Sequence, residues 1–89
     1  MRAVHKYELF VGTNLVDVPR NPQWLRIGAQ PMNMAVWAIV ETTQPMKRYT
    51  IHVAATGEQL PTEGQCHYIG TVQLGTGYIY HAFVMRGQL

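Results

Sequence analysis

The sequence predicts an all-β fold, and the clearest evidence is a hairpin near its carboxyl end. Two arms, Tyr68–Leu74 and Tyr78–Met85, are rich in β-branched and aromatic residues, which are typical of strands. Gly75-Thr76-Gly77 joins the arms, and glycine readily adopts the positive φ that a tight hairpin turn requires. These features predict a small antiparallel domain assembled from hairpins.

The length of the turn also predicts how the two arms pair. Counting outward from a three-residue turn gives three facing pairs: Leu74 with Tyr78, Val72 with Tyr80, and Gly70 with Ala82. Because Gly70 and Ala82 are small, this pairing predicts a gap that a large ring from a neighbouring strand would fill.

Five further strands are predicted upstream of the hairpin, each a short apolar or alternating run bounded by turn residues. They are Val4–Val11, Leu15–Val18, Gln23–Ala29, Met34–Glu41 and Arg48–Ala54. Met34–Glu41 is apolar on both faces, which also fits a buried helix, but its length and the flanking prolines favour a strand. Seven short strands fit a meander that forms a barrel or a two-layer sandwich.

The same pattern predicts the core. Apolar residues on the predicted strands are expected to be mostly buried: Leu9, Val11, Leu25, Ile27, Val36, Trp37, Ile39, Ile51, Val53, Ile69 and Val72. Trp37 is the largest of them, so its replacement by alanine is expected to cost ~3–5 kcal/mol of stability.

Length and composition predict a single domain, residues 1–89, that associates with another protein. The chain has 89 residues, of which 13% are charged, well below the ~25% of typical soluble domains. A surface so poor in charge is expected to be covered, either in a homo-oligomer such as a dimer or by a partner. The strand Tyr78–Val84 carries only His81 among apolar neighbours, so it is expected to be an edge that needs such cover. The candidate interface residues are therefore Tyr78, Tyr80 and His81.

A second candidate region lies in the long connection Thr56–Gly64. Thr56, Gly57 and Glu58 form a glycine-bearing turn there, and such a loop in an otherwise tight protein can mark a binding rim. A plain turn explains the same residues, and both interpretations stay open.

Enzymatic and metal chemistry lack the residues that they need. The chain contains no serine, and the lone Cys66 beside His67 fits no metal motif. The four histidines show no ligand spacing, and the five acidic residues show no pairing. We therefore expect no enzyme, no catalytic residues, no metal and no cofactor.

Composition also bears on partners and location. A net charge of +2 with scattered basic residues does not favour nucleic acid, although strand aromatics could stack on a single strand. A single cysteine suits a reducing cytoplasm, and no apolar run approaches the ~18 residues of a membrane span.

Several blocks, taken together, resemble a known family. They are HKYEL at 5–9, WAIV at 37–40, ATGEQLP at 55–61, YIGTVQ at 68–73 and YHAFV at 80–84. Their order and spacing are similar to those of short uncharacterised proteins of tailed bacteriophages and prophages, a domain of unknown function. The resemblance covers nearly the whole chain. The chain departs from it by running on through Met85–Leu89 without the terminal acidic residue of an HVFE-type strand.

The resemblance implies a viral gene expressed in the host bacterial cytoplasm, and it supplies no activity and no active-site residues. We expect a small non-enzymatic accessory protein that binds a host protein or a host signalling molecule, for example to inhibit a bacterial defence or another host process. The alternatives are a nucleic-acid-associated accessory protein and a small virion or assembly component.

Overall fold

The computed structural model describes residues 1–61, 66–75 and 77–85 and places seven strands in two antiparallel sheets. The strands are β1 (Arg2–Leu9), β2 (Gly12–Pro19), β3 (Gln23–Ala29), β4 (Met34–Glu41), β5 (Met46–Ala55), β6 (Cys66–Leu74) and β7 (Tyr78–Met85). No helix occurs among the described residues, so none there could cross a membrane. The prediction of an all-β fold is confirmed, and β3, β4 and β7 have the predicted bounds.

The two sheets form the layers of a sandwich. The three-stranded sheet has the order β1-β4-β3, and the four-stranded sheet has the order β2-β5-β7-β6. Only β3–β4 and β6–β7 are neighbours both in sequence and in space, so the chain passes between the layers more often than a meander would. Neither sheet closes on itself, which decides for the sandwich over the barrel.

The core lies between the layers and follows the two-residue alternation of each strand. On β4, for example, Met34, Val36, Ala38 and Val40 all point inward and are at most 1% exposed. The predicted core residues that the structure buries fully are Leu9, Ile27, Val36, Ile51 and Val53. Ile69 and Val72 are half-buried and pack against this cluster.

Four predicted core residues lie elsewhere. Trp37 and Ile39 lie on the outer face of β4, because alternation turns them away from the inward-facing set. Leu25 stands at a register shift between Trp24 and Arg26 and is 41% exposed. Val11 belongs to the connection between the layers and is 52% exposed. The apolar run of β4 was thus correctly predicted as a strand, but one of its faces lies outside the core.

The predicted pairing of the C-terminal hairpin is confirmed. Its register pairs Leu74 with Tyr78, Val72 with Tyr80 and Gly70 with Ala82. The gap at Gly70 is filled by Ile27 of the facing sheet and not by the ring that was expected. Thr76, in the turn, lies outside the described residues.

The prediction that β7 is an uncovered edge is wrong. β7 lies between β5 and β6 and pairs with both of them, so its backbone is covered within the chain. The edge strands are β1 and β3 in one sheet and β2 and β6 in the other. The scarcity of charge along Tyr78–Val84 therefore reflects a central position in the sheet and gives no argument for a dimer through this strand.

Candidate binding surface at one end of the sandwich

Four connections lie at the same end of the sandwich. Leu9 pairs with Met34 in one sheet, and Ala55 pairs with Tyr80 in the other, so strands of both layers end or begin there. The connections that meet at this end are residues 10–11, 30–33, 56–61 and the β6–β7 turn. We call it the loop end.

Large apolar side chains are exposed at the loop end. Their exposed fractions are 60% for Phe10, 52% for Val11, 93% for Met32 and 64% for Tyr78. A single exposed apolar residue is ordinary in a soluble protein, but several at one end of a domain, here called the patch, are typical of a binding surface. Within residues 10–11, 30–33 and 56–61, Glu58 is the only charged residue.

The connection that carries Phe10 and Val11 is held by one side chain, Asn14. Its Oδ1 accepts a hydrogen bond from the backbone amide of Phe10 at 2.8 Å, and its Nδ2 donates to the carbonyl of Phe10 at 2.8 Å. Nδ2 also lies 3.2 Å from the carbonyl of Ile51 on the neighbouring strand. Gly12, which lies between Phe10 and Asn14 in the sequence, has a φ of 101°, a conformation that glycine adopts without strain. Phe10 is therefore displayed on an ordered turn.

Tyr78 and Tyr80 line a cleft between the two layers at the loop end. Their ring centroids are 6.5 Å apart, and the rings are inclined by 33°. The connection 30–33 forms the opposite wall, and the cleft has a volume of about 310 Å³. Since Met32 and Tyr78 are exposed, the cleft opens to the surface.

His81 points to the other side of β7, onto the outer face of the four-stranded sheet. Its Nε2 lies 2.8 Å from Thr56 Oγ1, and its Nδ1 lies 2.9 Å from Thr71 Oγ1. The Thr71 hydroxyl is in turn 2.6 Å from that of Tyr68. Both imidazole nitrogens thus have hydroxyl partners, and these partners fix the ring to β6 and to the turn that follows β5.

The turn at Thr56, Gly57 and Glu58 is closed by its own hydrogen bonds. The Glu58 amide donates to the carbonyl of Ala55 at 3.0 Å, and the Glu58 carboxylate accepts from the amide of Ala55 at 2.7 Å. Gly57 supplies the φ of 93° that the turn needs. The Glu58 carboxylate is therefore engaged in the turn, although the turn also lines a shallow pocket of about 190 Å³ with His81 and Phe83.

All six predicted site residues lie at the loop end, but they do not form one surface. Tyr78 and Tyr80 line the cleft between the layers, whereas His81 lies with Thr56, Gly57 and Glu58 on the outer face. Sequence reasoning missed Phe10 and Met32. Exposure of Met32 could have been predicted from the segment Pro31-Met32-Asn33, because a large apolar residue between turn-forming residues lies outside the strands that build the core.

No ion pair of the described residues lies at the loop end, and the Glu58 and His81 side chains there are both engaged in hydrogen bonds. The ion pairs formed by the described residues, Asp17–Arg48 and Met1–Glu41, lie toward the opposite end. Across residues 1–61, 66–75 and 77–85, no three His, Cys, Asp or Glu side chains gather in a group that could hold a metal ion. The loop end is thus an apolar surface with hydrogen-bonded support.

Comparison with known proteins gives one family match. The sequence model of a family described as a domain of unknown function (DUF7352) matches residues 1–88. No curated protein and no solved structure matches the chain. The resemblance to a domain of unknown function is confirmed at this level, and the phage setting remains a proposal.

Proposed function

We propose that this chain, which belongs to the DUF7352 family, is a small non-enzymatic accessory protein that binds a partner protein through the loop end. In the setting that the sequence resemblance implies, the chain is a bacteriophage product and its partner is a protein of the bacterial host cytoplasm. The observation that carries the proposal is the exposure of Phe10, Val11, Met32 and Tyr78 at one end of the sandwich.

The composition of the loop end suits the centre of a protein interface. Aromatic residues and methionine are enriched in such centres, and charged residues are depleted. The exposed apolar residues of the loop end include two aromatic residues, Phe10 and Tyr78, and one methionine, Met32. Glu58 is the one charged residue in the connections 10–11, 30–33 and 56–61, and its carboxylate already accepts a hydrogen bond within the turn. Burying these side chains against a partner removes apolar surface from water, which stabilises the complex.

The support beneath the patch reduces the entropy that binding would cost. Asn14 fixes the backbone at Phe10, and the hairpin pairing fixes Tyr78 opposite Leu74. Side chains displayed on ordered backbone lose less conformational freedom on association than those on a flexible loop. The open cleft beside Tyr78 suits an inserted side chain of the partner.

The proposal is tested by capture from a bacterial lysate with the immobilised protein and three variants. Met32→Lys and Tyr78→Lys each place a charge in the patch. Leu15→Lys is the matched control, because Leu15 is 61% exposed but lies on β2 with Asp17, outside the loop end. We expect both loop-end variants to lose the captured protein by at least ~10-fold, which is typical of interface anchors, while Leu15→Lys retains it.

Two further measurements make the test decisive. Melting temperatures show whether each variant is folded, and washing at raised salt should leave capture nearly unchanged, since an apolar interface depends little on ionic strength. Capture that all three variants retain equally, or lose equally while folded, contradicts a binding surface at the loop end.

A further inference from the structure

The outer face of the three-stranded sheet carries a tryptophan between two cations. β4 is the central strand, and Trp37 pairs with Lys6 on β1 and with Arg26 on β3. Side chains of directly paired residues lie on the same face of a sheet. The half-buried Trp37 thus has an exposed cation beside it on each neighbouring strand.

Gly28 makes room for the tryptophan ring. A Cβ added at Gly28 would lie 3.0 Å from Cζ3 of Trp37 and 3.9 Å from Nη2 of Arg26. The six-membered ring and the guanidinium therefore lie close to one point on β3. They border a shallow cleft of about 430 Å³ whose other walls include Val4 and Leu25.

The charge on this face is positive and largely unpaired. Arg2 also lies there, opposite Glu41, but Glu41 accepts hydrogen bonds from the Met1 amino group and from Thr43. Among the described residues, Arg2 and Arg26 form no ion pair. Glu8 is the remaining carboxylate of the face; it lies two residues from Lys6 on β1, with which it forms no ion pair, and at the far end of the strand from Arg2.

The net charge of the whole chain is only +2, so it does not reveal that cations are concentrated on this face. Elsewhere in the described structure, Arg48 is paired with Asp17, and the Nζ of Lys47 lies over the ring of Tyr49 at 5.3 Å. Arg20, just after β2, also forms no ion pair among the described residues, but it stands apart from other cations, whereas Arg2, Lys6 and Arg26 share one face of a sheet. An anionic ligand would find several complementary charges on that face.

We propose that the outer face of the three-stranded sheet binds single-stranded nucleic acid, with a base stacked on Trp37 and the backbone phosphates on Lys6, Arg26 and Arg2. Aromatic rings on a sheet face, flanked by Lys and Arg, are the physical basis of single-strand binding with little sequence preference. This surface adjoins the loop end, where Lys6 Nζ donates a hydrogen bond to Gln30 Oε1 at 3.2 Å, but the proposal does not depend on the function proposed above.

The layout of the cations favours a polymer over a single nucleotide. Lys6 and Arg26 stand on opposite sides of the ring, and Arg2 lies four residues from Lys6, roughly 13 Å along an extended strand. Cations spread over this distance suit successive phosphates of a strand better than a single phosphate group. A symmetric second copy is disfavoured, because it would bring the same cations against each other.

The test is fluorescence anisotropy with a labelled oligothymidylate of about ten nucleotides, a length in the range of known single-strand sites. Three neutralised phosphates predict a slope of about −2 in a plot of log K against log salt, or about 20-fold weaker binding between ~50 and ~200 mM. A duplex of the same length should bind more weakly, and adenosine monophosphate should compete only in large excess.

Paired variants separate charge from stacking. Lys6→Gln/Arg26→Gln should reduce the salt slope to about a third and weaken low-salt binding by ~10-fold or more. Trp37→Leu should weaken binding while leaving the salt slope unchanged, because stacking does not involve counterion release. Arg20→Gln/Arg48→Gln removes two charges elsewhere and is the control, expected to bind like the wild type apart from a small general charge effect.

Several outcomes overturn the proposal. They are an absence of wild-type binding at low salt, equal binding of the duplex, equal competition by the mononucleotide, and equal losses in the two double variants. If Trp37→Leu does not fold, the comparison of the two double variants still decides the question.

Discussion

Gly70 on β6 makes room for Ile27 on β3, and this contact joins the two layers of the sandwich. A Cβ added at Gly70 would lie 2.9 Å from Cγ2 of Ile27 and 3.5 Å from its backbone nitrogen. Ile27 is 3% exposed, and its branching at Cβ restricts its rotamers, so the methyl group has little freedom to turn away. The spacing of the layers here depends on the missing side chain.

Gly70→Ala should therefore destabilise the fold. The added methyl must push Ile27 or its strand away from β6, and overpacking of this kind typically costs ~1–3 kcal/mol. Urea unfolding monitored by circular dichroism measures the loss. Gly28→Ala is the matched control, because its added Cβ would also lie 3.0 Å from a neighbour, but that neighbour is the Trp37 ring on the outer face.

The ring of Trp37 can shift toward solvent, so the control should cost less than Gly70→Ala. Ile27→Leu removes the Cγ2 branch, and the double variant Gly70→Ala/Ile27→Leu should be more stable than the sum of the two single losses predicts. Equal losses for the two glycine variants would show that the interlayer contact does not limit packing at Gly70.

The sequence predicted what depends on neighbours along the chain. The pairing of Gly70 with Ala82 followed from turn length and strand alternation, because both are local. The partner of Gly70 across the layers was not predictable, since β3 and β6 are brought together by long-range topology. The prediction that β7 is an edge strand was wrong for the same reason. An apolar strand can be a poorly protected edge or a central strand, and only its pairing partners distinguish the two.

In the candidate site, too, local features were predictable and contacts between distant segments were not. Thr56 and His81 were selected from separate local signals, and the hydrogen bond that joins them exists only because β7 pairs with β5. Phe10 looked like the end of a strand, and its exposure follows from the crossing of the chain between layers just after β1. The apolar loop end is thus a product of connectivity that alternation does not encode.

Trp37 provides a direct test of which face of β4 is the core. Trp37 is half-buried on the outer face, so Trp37→Ala should lower the free energy of unfolding by only ~1–2 kcal/mol, less than the ~3–5 kcal/mol of a buried tryptophan. Ile51→Ala is the comparison, since Ile51 is 0% exposed and should cost ~2–5 kcal/mol. A larger loss for Trp37→Ala than for Ile51→Ala, measured by urea unfolding, would place the ring in the core after all.

Asn14 should control the order of the connection that displays Phe10. Asn14→Ala removes an acceptor and a donor that serve Phe10, and the loss of such bonds typically costs ~1–3 kcal/mol. Hydrogen exchange at the Phe10 amide should accelerate more than at amides of β4. Asn14→Asp keeps the acceptor and loses the donor, so the Phe10 amide should stay better protected than in Asn14→Ala. Equal protection in both variants would argue against the side-chain bond.

The pair formed by Asp17 and Arg48 gives stability a defined dependence on acid. The two residues face each other across β2 and β5, and Nε and Nη2 of Arg48 lie 3.0 and 3.2 Å from the Asp17 oxygens. The hydrogen bond and the charge of the guanidinium hold the pKa of Asp17 below its usual value of 3.8. The folded protein thus binds this proton less readily than the unfolded chain, so the stabilisation is complete above pH 3.8 and is lost as the pH falls through the lowered pKa.

Asp17→Asn should therefore melt at a lower temperature than the wild type near neutral pH, and the difference should narrow as the pH falls below 3.8. Arg48→Gln should show the same narrowing, because it removes the other half of the pair. The difference should also shrink at ~1 M salt, where exposed charges are screened over a few ångströms. Glu8→Gln, at a carboxylate with no ion pair in the described structure, controls for the loss of one negative charge. A gap between wild type and Asp17→Asn that is the same at every pH would show that the variant acts through packing or strand pairing and not through the ion pair.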